Sequence, residues 1–363
     1  MTNPTLRPFA LFGMGHRRKL LYRDGQLLDA LTGELLREWP GAAADYDLSE
    51  YRVTLRLREG TSVVLWEDEQ AAWLREGDET TCLTEGPVNL PSFDRHPQAP
   101  LLRRLHHELL VNIVNGAPLP NLFVYQKPWY RDAAMVALCL QQTGNVPLLT
   151  DWIASLTEPF DRNNAGNEEP DNLGQLLYLL SLAPPYPPLR LGEGLGVRLP
   201  AVLAAAERFR HSDHLLGITD GQEHPVYQTK WLKFGLRALG LPDAWVIPKV
   251  HDTYSALFWM AYRDEHLPAA PFASGNAERY PYLAWAESHF HAWPPPAVLP
   301  SLQGGEATAG RRGRPPFPLT WESHASEADY RRMAIVGPEY EEQRTCVPHT
   351  WHAAEVFLYY LSR

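Results

Sequence analysis

The hydrophobic period of this chain changes once, near residue 95, and that change limits the folds open to it. Over the first 90 or so residues apolar and polar positions alternate, with Val53, Leu55 and Leu57 set against Thr54, Arg56 and Arg58. A period of two is that of a strand with one face buried and one wet. Asp24-Gly25, Thr32-Gly33 and Glu59-Gly60 punctuate the region as hairpin turns. The expectation is an antiparallel meander of about five short strands, closing on itself or packing against the rest of the chain. From about residue 98 the period becomes helical and stays so. About ten segments read as helices, from LLRRLHHELLVNIVNG and RDAAMVALCLQQTG, through TYSALFWMAYRDEH, YPYLAWAESHFH and ASEADYRRMAIV, to WHAAEVFLYYLS. Segments that are apolar all round, such as ALFWMAY and FLYYL, alternate with amphipathic ones such as RRLHHELLVNIV, which fits two concentric layers of helices. The expected fold class is therefore mainly α: an α/α toroid over residues 96–363, preceded by a small antiparallel β domain over residues 1–95. Residues 294–318 lack periodicity and read as a long loop, either a flap or a linker.

Composition removes several function classes. Lys and Arg number 33 against 43 acidic residues, a net charge of −10, which argues against a phosphate backbone as partner. No apolar run approaches the roughly 20 residues needed to span a bilayer, and the opening MTNPTLRPFALFGMGHRRKLLY offers no convincing cleavage site, so a cytoplasmic protein is expected. Cys82, Cys139 and Cys346 are odd in number and far apart, which suits reduced thiols. A chain of 363 residues buries an adequate core without a partner, so a monomer suffices. The 33 prolines, against an average share near 5%, and the 12 Trp and 16 Tyr cluster in connecting segments. Stiff loops carrying aromatics build a cleft with flat apolar walls, suited to sugar rings; ordinary core packing explains the aromatics equally well.

Polar clusters fall at helix starts. The first is Lys127, Pro128, Trp129, Tyr130, Arg131 and Asp132, with Asp132 also placed to cap a helix. The second, NNAGNEEPDNLGQLL, sets Glu168, Glu169 and Asp171 within four residues beside Asn167 and Asn172. Like charges so close raise one another's proton affinity, which is how a carboxylic acid stays protonated as a general acid; capping by Asp171 is the plain alternative. The third is His251 and Asp252; the fourth is Trp321, Glu322 and His324, ahead of a helix that Ser326 would cap. The fifth is Pro348, His349, Thr350, Trp351, His352 and Glu355. These histidines, with His289 and His291, do not form a ligand pattern such as HExxH, and no metal is expected. GxGxxG, GxxxxGK[ST] and GxSxG are absent, so no cofactor is implied.

PWYRDAAM, opening an early helical hairpin, and PHTWHAAEVFLYYL, the last helix, resemble the six-hairpin glycosidase superfamily over roughly residues 98–363. Glucoamylases and the amylo-alpha-1,6-glucosidase domain of glycogen-debranching enzymes carry a similar aromatic-Arg-Asp motif, and trehalases and mannosyl-oligosaccharide glucosidases a comparable Trp-Asp one. The resemblance implies that Trp129, Arg131 and Asp132 contact the sugar in the innermost subsite. It implies a general acid at Glu169 or Asp171. TWESHASEADY is similar to a trehalase-type segment, which implies a base at Glu322. An inverting glycosidase needs one protonated and one ionised carboxyl about 6.5–9.5 Å apart, a separation that residues of distant hairpins can supply. Tyr125, Trp129, Tyr227, Trp231 and Trp321 would be stacking platforms, although Tyr227 and Trp231, four apart on one helical face, fit a core equally well. His251, Asp252 and His352 complete the expected substrate-binding set. The expectation is a glycoside hydrolase acting on a small oligosaccharide. The alternatives are a carbohydrate-binding protein without catalysis, and a sugar epimerase or isomerase using His251, His289 or His352.

Overall fold

The computed structural model describes residues 6–58, 60–163, 165–183, 195–250, 252, 254, 318–325 and 328–361. His251, His289, His291, Ser326, the expected helices over 253–266 (Tyr254 apart) and 280–291, and nearly all of the loop 294–318 lie outside them. The chain forms two compact units: Met1–Pro128 with Leu138–Leu148 and Ser301–Arg363, and Trp129–Ala137 with Leu149–Pro300.

Over residues 9–85 of the first unit the alternation yields nine strands among the described residues rather than about five. β1 (Phe9–Phe12), β2 (Leu20–Arg23), β3 (Gln26–Asp29) and β4 (Leu35–Glu38) form one antiparallel meander. β5 (Ala43–Asp47), β6 (Arg52–Arg56), β7 (Ser62–Glu67), β8 (Ala71–Glu76) and β9 (Glu79–Glu85) form a second. Asp24 and Gly25, at φ 46° and 77°, make the two-residue β2–β3 turn, whose twist matches the strands it joins. The apolar face is covered by the other sheet: Phe12, Leu20, Tyr22 and Leu27 from one share a buried cluster with Val53, Leu55, Val63, Leu65 and Leu74 from the other. Glu67, fully buried at the end of β7, accepts from Gly13 N at 2.8 Å, Met14 N at 2.7 Å and Arg17 Nη1 at 3.0 Å, which fixes the loop between β1 and β2. α1 (Ala99–Val111) packs on the last helix, α8 (Thr350–Leu361). Between them in sequence lie a 3₁₀ helix (Tyr330–Ile335), where an α-helix over 325–336 was expected, and the short α7 (Pro338–Glu342).

α2 (Tyr130–Thr143) begins in the second unit and ends in the first. The second unit also holds α3 (Thr150–Ser155), α4 (Asp171–Ser181), α5 (Leu195–Arg208) and α6 (Pro225–Ala238), with two-residue hairpin strands Arg210–His211 with His214–Leu215 and Ile218–Thr219 with Gln222–Glu223 between α5 and α6. α4 and α6 touch at backbone distance. A Cβ on Gly174 would lie 2.1 Å from Trp231 C and 2.2 Å from Trp231 O, and one on Gly235 would lie 2.4 Å from Gly174 O.

The expected mainly-α chain built on an α/α toroid is corrected. Among the described residues, strands hold two full sheets, and the helices pair as α1 with α8 and α4 with α6 rather than stepping round a ring of hairpins. The misreading has a physical cause. ALFWMAY lies outside the described residues, and FLYYL, at the end of α8, is only half-buried at Leu358, Tyr360 and Leu361, so an apolar segment there is not enclosed by a helical layer on each side. α4, which is buried from Asp171 to Leu180, is covered by backbone contact with α6, by α5 and by a polar cluster at its start. Gly174→Ala should therefore cost about 3 kcal/mol or more, because the obstacle is backbone. Urea unfolding measures it, and a loss under about 1 kcal/mol contradicts the close contact.

Candidate functional site

In the second unit the first turns of α2 and α4 bring together the two clusters of strongest chemical character. Arg131 is 5% exposed and Asp171 fully buried. The Arg131 guanidinium donates from Nε to Asp171 Oδ2 at 3.0 Å, from Nη2 to Glu169 Oε2 and from Nη1 to the Tyr254 hydroxyl at 2.7 Å, with Asp220 Oδ2 3.2 Å from Nη1. Glu169 Oε1 accepts from Asn163 Nδ2 at 2.9 Å and from the Asp220 backbone N–H at 3.0 Å. Asp171 accepts from the Thr219 hydroxyl at 2.9 Å and from Gln175 Nε2 at 2.8 Å, one turn on in α4. Both Asp171 oxygens thus have donors, and its carboxylate turns away from its own helix end. Capping duties fall to other acids. Asp161 Oδ2 takes the Tyr130 N–H at 2.6 Å at the start of α2, and Asp252 Oδ2 takes the Tyr227 N–H at 3.0 Å at the start of α6.

Burial is the first cause that pushes the Glu169 carboxyl up to about 7; the Asp171 and Asp220 charges add to it, and Arg131 opposes it. Crowding of like charges, the reason offered by the sequence, is therefore secondary. For Arg131 burial works against the charge, and Asp171, Tyr254, Asp220 and Glu169 more than compensate, so its proton is held more tightly than usual. Packing against the cluster would raise the Asp220 carboxyl, but Arg131 and the Tyr254 hydroxyl outweigh it and hold Asp220 below its ordinary range. Burial first, and then the neighbouring acids, pushes the Tyr254 hydroxyl well up. Glu168 turns the other way, to Arg162 and Arg208 at 2.8 Å each. It lines a cavity of about 320 Å³ with Phe160, Ala201, Ala205 and Arg208.

The first unit holds a second cluster. Glu322 Oε2 accepts from the Tyr125 hydroxyl at 3.0 Å and lies 2.9 Å from His349 Nε2. The His349 and His352 rings are 4.4 Å apart, and His352 Nδ1 donates to Trp321 O at 2.9 Å. Burial, with His349 adding, holds the His352 imidazole well below its usual range, so it is neutral. Glu108, buried on α1 and pushed up to about 7 chiefly by burial, accepts from the Thr320 hydroxyl at 2.6 Å and from Leu319 N–H, which fixes the segment leading to Trp321 and Glu322.

Arg131, Glu169 and Asp171 thus meet in one cluster, and Trp321, Glu322 and His352 in another. Asp132 is buried in the first turn of α2, Trp129 is half-buried beside it, and Asp252 supports Tyr254, whose N–H it accepts at 3.2 Å. Tyr227 and Trp231 are fully buried, with the Trp231 ring packed edge-on or tilted against Tyr227, Tyr178 and Phe234, so the core reading describes them and neither presents a face to a ligand. Asp220, Thr219 and Gln175 escaped the sequence reading. Asp220-Gly221, flanked by Ile218-Thr219 and Gln222-Glu223, is an Asp-Gly hairpin signal that could have located the first two.

Among the described residues no group of three or more metal-ligating side chains is gathered, and no helix is long and apolar enough to cross a membrane. No protein-family model, no curated protein and no solved structure matches the chain.

A carboxyl whose folded pKa is raised binds more protons folded than unfolded. Glu169 therefore subtracts stability as pH rises from its ordinary 4.5 to about 7. Relative to Glu169→Gln, the wild type should lose on the order of 3 kcal/mol across that window. Urea midpoints at stepped pH read the difference, and parallel curves would contradict the raised pKa.

Proposed function

We propose that the chain is a glycoside hydrolase acting on a small oligosaccharide by a two-carboxylate mechanism with inversion. The observation that carries this reading is the placement of Glu169: a buried carboxyl held beside a fixed guanidinium, where burial pushes it up to about 7. A group half-protonated near neutrality is suited to protonate a leaving oxygen as its bond breaks. Asp171, with no exposure, is assigned to holding Arg131, and Glu169, the acid with the raised proton affinity, is taken as the proton donor. Asp220, whose side chain is 54% exposed beside Arg131, supplies an acceptor of the kind a polyhydroxylated ligand pairs with. The base is named as Glu322 on the resemblance alone; within the first unit that carboxylate accepts from the Tyr125 hydroxyl. A cytoplasmic location is part of the same proposal; it rests on three free cysteines, two of them buried.

One observation favours a second reading, sugar binding without turnover. The Glu169 Oε2 that must give up its proton is also the atom Arg131 holds. The experiment is an NMR product screen of the purified chain against α- and β-linked disaccharides, alongside thermal shift. The hydrolase reading predicts release of a monosaccharide with inverted anomer, lost about 100-fold or more in Glu169→Gln and in Glu322→Gln. Stabilisation by sugar with no product overturns it in favour of binding alone; full turnover in either variant overturns that residue's role.

A further inference from the structure

Asp220 sits at the tip of the two-residue hairpin joining Ile218–Thr219 to Gln222–Glu223, with φ 52° at Asp220 and 80° at Gly221. That tip makes three contacts with the buried cluster. The Asp220 N–H donates to Glu169 Oε1 at 3.0 Å, Oδ2 lies 3.2 Å from Arg131 Nη1, and Oδ2 accepts from the Tyr254 hydroxyl. Thr219, one residue earlier, donates its hydroxyl to Asp171 at 2.9 Å. The hairpin is itself anchored, since Gln228 Nε2 on α6 donates to Thr219 Oγ1 at 3.0 Å and to Gly217 O at 2.7 Å. The exposures differ sharply. The Arg131, Glu169 and Asp171 side chains are 6%, 5% and 0% exposed, whereas that of Asp220 is 54% exposed, and its Oδ1 accepts no hydrogen bond among the described residues.

We propose that Asp220 is a positioning residue for the Glu169–Arg131 pair and the point at which the cluster meets a ligand, its Oδ1 being the acceptor a sugar hydroxyl reaches first. The hairpin tip grips both members, Glu169 through the backbone N–H and Arg131 through the carboxylate. A ligand hydroxyl bonding to Oδ1 would draw on the same carboxylate that neutralises Arg131, so binding is felt at Glu169 without direct contact. The functional meaning rests on the proposed role of Glu169 as proton donor; the placement does not.

The test reads the ligand-free protein. The charged and titratable groups facing Glu169 are Arg131 from α2, Asp171 from α4, Asp220 from the hairpin, and Tyr254; His224, stacked on Tyr254, acts on Asp220. Asp220→Asn removes one negative charge and keeps the backbone N–H. Asn-Gly is a favoured pair for this turn, so the hairpin itself should hold. With ¹³C-carboxyl-labelled glutamate, the Glu169 titration midpoint should fall by about one pH unit in Asp220→Asn. It should stay unchanged in Asp213→Asn, an exposed acid at the neighbouring hairpin turn. An unmoved midpoint in Asp220→Asn, or an equal fall in Asp213→Asn, would overturn the proposal. In the second arm, any disaccharide that stabilises the wild type should bind about tenfold or more weakly to Asp220→Ala; equal binding would remove the ligand contact and leave the positioning role to the titration. If no sugar binds but the midpoint falls, the hydrolase reading fails while the positioning role stands.

Discussion

Two glycines decide where the chemistry of the second unit sits. Gly174 on α4 and Gly235 on α6 let the two backbones meet with no room for a Cβ, and that contact sets the height of one helix against the other. The register that follows puts Gln175 of α4 within 3.3 Å of the Tyr227 hydroxyl of α6. Asp171, one turn before Gln175, then reaches Thr219 in the hairpin that precedes α6. A bulkier residue at either glycine would part the helices and draw Thr219, one of its donors, away from the Asp171 carboxylate. Unsatisfied, a fully buried carboxylate is costly, so the close packing and the polar cluster stand or fall together.

The polar groups of the cluster also depend on one another. Arg131 faces three carboxyls, and Glu169 is the one pushed up to about 7, by burial first and then by Asp171 and Asp220 beside it. Removing any partner leaves the remainder over- or under-charged in a place water hardly reaches. The same arrangement gives the site its chemical character: a guanidinium that cannot move, a carboxyl poised to lose a proton, and one carboxylate turned outward.

Parts of this were legible in the sequence for definite reasons. The Asp24-Gly25 turn and the Val53–Leu57 alternation read directly because each has a single local cause. The strands were undercounted in part because β5 has no buried residue, so nothing printed a buried face on AADYD. Arg131, Glu169 and Asp171 were visible as polar residues at helix starts, and their meeting in space follows from α2 and α4 beginning side by side. Asp220 was hidden by its own suitability as a turn residue. Tyr227 and Trp231 misled in the other direction: four apart on a helix, they look the same whether they line a cleft or fill a core, and only the packing of Tyr178 and Phe234 around them decides.

All of these readings depend on Arg131 being held by its Nε–H against Asp171 out of contact with water. Hydrogen exchange of that Nε–H, followed by ¹⁵N NMR of the arginine side chains, asks the question directly. The account predicts protection comparable to the backbone amides of Leu176 and Leu177 inside α4. Exchange as fast as at Arg331, whose side chain is 82% exposed, would contradict it.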